Sequence, residues 1–96
     1  MLLFNIDYAQ TKLQQTLSET DFESAKDYAR LAKNALQDAA ISSMDCGCDM
    51  AFLEFDTAAT YAKRARDADT PREFVESLNR AIRSFNSGLD ALQLCR

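Results

Sequence analysis

Apolar residues recur along this chain at steps of three and four, from Leu2 to Leu92, and no stretch alternates apolar with polar. That spacing lines side chains up on one stripe of an α-helix, whereas a half-buried strand needs a period of two. Leu2, Ile6, Ala9, Leu13 and Leu17 mark a first helix over roughly residues 3–17. Phe22, Ala25, Ala29, Ala32, Leu36 and Ala39 mark a second from about Asp21 to Met44, its stripe widened by Tyr28, Leu31 and Ala35. Phe52, Phe55, Ala58, Ala62 and Ala65 mark a third from about Met50 to Ala68. In the fourth, Val75, Leu78, Ile82, Phe85, Leu89 and Leu92 keep an unbroken spacing, with Asn86-Ser87-Gly88 as the point where the helix could stop early. The expected fold class is all-α.

Capping residues divide the stripes. Thr20 with Glu23 reads as a capping box. Thr70-Pro71-Arg72-Glu73 is the clearest boundary: Thr70 caps, Pro71 takes the first helical position, and Glu73 closes the box. Between the second and third stripes lies Asp45-Cys46-Gly47-Cys48-Asp49, where Gly47 suits the left-handed position past a helix end and Asp49 an N-cap. A second reading competes here. Glycine inside a helix costs only about 1 kcal/mol relative to alanine, and the stripe also runs straight through as Ala40, Met44, Gly47, Ala51, Phe55 and Ala58. The two helices would then be one rod of about 70 Å, dimerised to hide its length.

Twelve of the fifteen alanines fall between Ala25 and Ala68. Small side chains on facing stripes let two helices pack tightly, leaving the larger residues of the first and fourth helices to cover the pair. The first expectation is therefore a single domain over residues 1–96, an up-down-up-down antiparallel bundle of four helices. The first helix looks short for its side, which would leave an apolar strip for a second copy to bury in a homodimer. Residues 21–35 also align with 54–68 at an offset of 33, with six of fifteen positions identical. Either alanine-rich amphipathic helices share composition or an internal duplication relates the two. The offset is close to the tetratricopeptide period of about 34, but that repeat's signature is missing.

Composition excludes several functions. The net charge of −4 and a pI near 4.7 argue against nucleic-acid binding, because phosphate contacts need a concentrated basic face. Lys63, Arg64 and Arg66 cluster, but Asp67 and Asp69 follow directly, as on a solvated helix face. No run approaches the roughly 20 apolar residues of a membrane span. The Met1-Leu2-Leu3-Phe4 start lacks the basic segment of a signal peptide. The chain has no histidine, which removes Ser-His-Asp and Cys-His catalysis and the histidine-dependent zinc and di-iron sites.

What chemistry remains lies in three cysteines. Their odd number, without a secretion signal, suggests reduced thiols in a cytoplasm. If the helices fold back on one another, Cys95 lies 25 residues beyond Thr70 while Cys46 and Cys48 lie 24 and 22 before it. All three sulfurs then reach the same end of the bundle. Cys46, Cys48 and Cys95 with Asp45 or Asp49 would make a four-ligand set for zinc. Residues 37–57 carry five carboxylates and no Lys or Arg, which also favours a cation. Alternatively, Cys-Gly-Cys can close into a readily reduced disulfide, or the cysteines serve only as small turn and helix-end residues. The functional expectation is a non-enzymatic, cytoplasmic interaction or accessory protein without a cofactor. It would bury an apolar helical face against a second copy or another helical protein, with no nucleic-acid or membrane partner. The alternative is a metal-binding or thiol-redox sensor.

Overall fold

The computed structural model describes residues 2–95; Met1 and Arg96, the ends of the expected domain, lie outside the described residues. Four helices account for most of the described residues: α1 (Leu2–Ser18), α2 (Phe22–Asp45), α3 (Asp49–Arg66) and α4 (Pro71–Leu94). They form an antiparallel up-down-up-down bundle with no strand among the described residues. Its long dimension is 40 Å, close to the rise of about 36 Å for α2 or α4 at 1.5 Å per residue.

The bend at Gly47 decides between hairpin and rod. Gly47 has φ +78°, its N–H donates to the Met44 carbonyl at 2.9 Å, and the Cys48 N–H donates to the Ser43 carbonyl at 2.9 Å. These two bonds are a Schellman closure, which satisfies carbonyls that α2 would otherwise leave free and turns the chain. The rod is thereby excluded. At the other end of α3, the Thr70 hydroxyl accepts from the Glu73 N–H at 3.2 Å and donates to its carboxylate at 3.3 Å, with Pro71 opening α4.

Two of the expected caps move. α2 is capped by Asp21, not Thr20: its carboxylate accepts from the Ser24 N–H at 2.9 Å, and that backbone bond holds Asp21 below the usual carboxylate pKa. Asp49 is the first residue of α3 and not its N-cap; Cys48 occupies the cap position without a side-chain hydrogen bond. There the Asp49 carboxylate still meets the positive end of the helix.

The alanine prediction describes the centre. Ala25, Ala29, Ala32 and Ala35 on α2 are buried with Ala58, Ala62 and Ala65 of α3 and with Ala68 in the turn that follows it. α1 lies against α2, and α4 against α3 with a smaller contact to α2, whereas α1 and α4 touch at most marginally. The buried face of α4 is turned from the expected stripe. Phe74, Leu78, Ala81, Phe85 and Gly88 point inward, Val75 is exposed, and Ile82 and Leu89 sit at the edge. Gly88 does not end the helix. A Cβ there would lie 2.6 Å from Cδ1 of Phe55, so the missing side chain makes room for that ring. On α1 the last inward position is Thr16, not Leu17. Its buried hydroxyl donates to the Lys12 carbonyl at 2.7 Å, which removes the cost of burying it.

Candidate functional site

The up-down-up-down path brings the start of α1, the end of α2, the start of α3 and the end of α4 to one end of the bundle. Asn5 Nδ2 donates to Ser42 Oγ at 2.8 Å and ties α1 to α2 there. Cys48 and Cys95 are joined by a disulfide across 47 residues, with their α-carbons 5.7 Å apart, which ties α4 to the α2–α3 turn. The fold-back therefore carries Cys95 to the Cys-Gly-Cys loop as the helix lengths require. The expectation of three reduced thiols is not met: Cys46 alone is free, and it is exposed.

The residues of the expected zinc set divide accordingly. Cys48 and Cys95 are spent on each other, while Asp45, Cys46 and Asp49 are exposed around them. Among the described residues no group of three or more His, Cys, Asp or Glu side chains is placed to hold a metal ion. A thiolate set would exist only in the reduced chain, since a disulfide sulfur is not a thiolate ligand.

The surface around the disulfide carries a feature that no single helix reveals. Among the described residues ten large apolar side chains are exposed, and eight of them stand on this half: Leu3, Phe4, Tyr8, Ile41, Met44, Met50, Leu53 and Leu94. The same half, residues 2–11, 34–57 and 84–95, holds seven carboxylates and no Lys or Arg. Between α3 and α4 the surface sinks into a groove of about 590 Å³, with Ala51, Ala91, Met50 and Leu94 among its lining and Asp49, Glu54 and Asp90 on its walls. Periodicity could find the stripe of each helix, but these residues lie off the stripes. Only the register of the four helices gathers them.

The opposite half is built differently. Arg66 pairs with Asp67 at 2.9 Å, which holds the Asp67 carboxyl below its ordinary range. Arg64 and Arg80 lie over the Tyr61 ring, 5.2 and 5.7 Å from its centroid. The Lys63–Arg66 cluster is thus engaged in part by its own helix surface. No helix among the described residues is long and apolar enough to cross a membrane. Comparison with protein-family models, with curated proteins and with solved structures finds no match for the chain.

Proposed function

We propose that this chain is a small non-enzymatic interaction protein, a helical bundle that buries an apolar face against a second copy or another helical protein. The observation that carries this reading is the gathering of eight exposed large apolar side chains on one half of the molecule. Large apolar side chains left exposed together in one region are costly in water and mark a contact site. This face does not suit nucleic acid, because its half carries seven carboxylates and no Lys or Arg among the described residues. A second copy fits the open side between α1 and α4, where Leu17 and Val75 are exposed over grooves of about 230 and 240 Å³. At micromolar concentration, sedimentation should give roughly twice the 10.8 kDa chain mass, and Leu17→Ser with Val75→Ser should return it to one chain. A clean monomer removes the homodimer and leaves another helical protein as the partner.

A second reading, thiol–disulfide or metal sensing, is favoured by the free Cys46 two residues from the disulfide. Attack of the Cys46 thiolate on the Cys48 sulfur forms a Cys46–Cys48 bond and releases Cys95 as thiolate, with no change in total oxidation state. Full reduction by an external dithiol frees all three cysteines, and a reducing cytoplasm holds them so. With Asp45 or Asp49 they then form the zinc set. Thiol and zinc counts on protein isolated with an alkylating agent separate these forms. One thiol per chain supports the disulfide, three thiols with stoichiometric zinc support the metal, and three thiols without zinc that mild oxidation leaves unpaired sink both.

A further inference from the structure

We infer that the groove between α3 and α4 at the disulfide end receives a cationic amphipathic helix of another protein. The inference rests on the interaction-protein reading and names the site and the class of partner.

Shape supplies the first argument. The groove runs between two antiparallel helices, so a third helix laid along it continues the packing of the bundle itself. Ala51 and Ala91 keep the floor low, while Met50 and Leu94 stand at its sides, 65% and 83% exposed. An unbranched methionine adapts to apolar side chains of differing shape.

Charge supplies the second. Asp49 and Glu54 on α3 and Asp90 on α4 line the groove, and none of the three has a salt-bridge partner among the described residues. Two helix N-termini and two C-termini meet at this end, so the helix dipoles largely cancel and the carboxylates set the field. A partner helix with Leu or Met on one face and Lys or Arg along its borders answers both features. Its apolar side chains enter the groove while the cationic heads reach the carboxylates over their own aliphatic stems. A second copy presents the same seven carboxylates at this end, and pressing two such ends together is opposed by like charge. An anionic lipid surface is repelled for the same reason.

The test uses the whole 96-residue chain and a leucine/lysine peptide with leucines at helical spacing. A leucine/glutamate peptide of the same apolar pattern is the control. Fluorescence anisotropy should show micromolar binding of the lysine peptide, weakened by salt, with the glutamate peptide weaker by about tenfold or more. Met50→Ser with Leu94→Ser should weaken binding by roughly tenfold or more, and Glu54→Lys with Asp90→Lys by about tenfold. Amide shift mapping on the unmodified protein should place the peptide between α3 and α4, a readout that needs no variant to fold. Equal affinity for the two peptides, binding to neither, or shifts confined to the α1–α4 side would overturn the inference. Self-association that persists beside any of those results leaves the interaction reading standing and removes only this partner.

Discussion

The two ends of the bundle are closed by different means. At the end holding the Thr70 turn, local caps supplement the packing, in which Phe22 meets Phe74. Side-chain caps at Asp21 and Thr70 open two helices, alanines fill the space between α2 and α3, and cations and carboxylates are mixed over the surface. At the disulfide end the joints are long-range: a bond from Cys48 to Cys95, a hydrogen bond from Asn5 to Ser42, and the Phe55 ring set against Gly88. Its surface is apolar and anionic with no cation of its own among the described residues. A surface that compensates its own charges is finished. One that leaves apolar area and unpaired carboxylates together is complementary to something else.

The largest expected effect tests how much the disulfide half depends on its aromatic packing. Phe55 is fully buried, with its ring centroid 5.7 Å from that of Phe85. Phe55→Ala should cost about 3–5 kcal/mol in urea unfolding. A loss below about 1 kcal/mol would mean that the two halves fold without this ring at their junction.

Reduction of the disulfide comes next. The bond closes a loop of 47 residues, and opening it should cost about 2–4 kcal/mol through the freedom returned to the unfolded chain. Hydrogen exchange should rise in the last turns of α4 and stay unchanged at the Thr70 turn. Equal loosening at both ends would erase the contrast drawn here.

The smallest effect belongs to the Thr70 end. Thr70→Ala removes one side-chain acceptor from the start of α4 and should cost about 1 kcal/mol. Combined with reduction, the two losses should add, because the sites lie at opposite ends and share no partner. A clear departure from additivity in the melting of the double perturbation would show the ends to be coupled.

The order of the helical stripes and the Thr70 boundary were legible in the sequence, and the bend at Gly47 was the first of the two readings it allowed. Each is written in a few adjacent residues: a 3.6-residue period, a glycine free to take positive φ, and a hydroxyl followed by proline. The errors came where neighbouring positions offered similar chemistry. Asp21 and Thr20 can both cap, and the choice fell to the carboxylate in reach of the Ser24 N–H. Val75 and Phe74 can both lead the α4 stripe, and packing against the neighbouring helices chose Phe74, which meets Phe22 edge-on at 5.8 Å.

Residue type and spacing by themselves determined that this chain is all helical, with four amphipathic stripes and small residues on the middle two, because periodicity and capping act within a turn or two of helix. Which cysteines pair was decided only by tertiary structure. Spacing brings both Cys46 and Cys48 near Cys95, Cys46 slightly nearer, but the Gly47 turn leaves Cys46 exposed and faces Cys48 inward to meet the end of α4. The candidate site was decided there too. Asp49, Glu54 and Asp90 lie up to 41 residues apart in sequence, and they share one groove because antiparallel packing superposes the start of one helix on the end of the next.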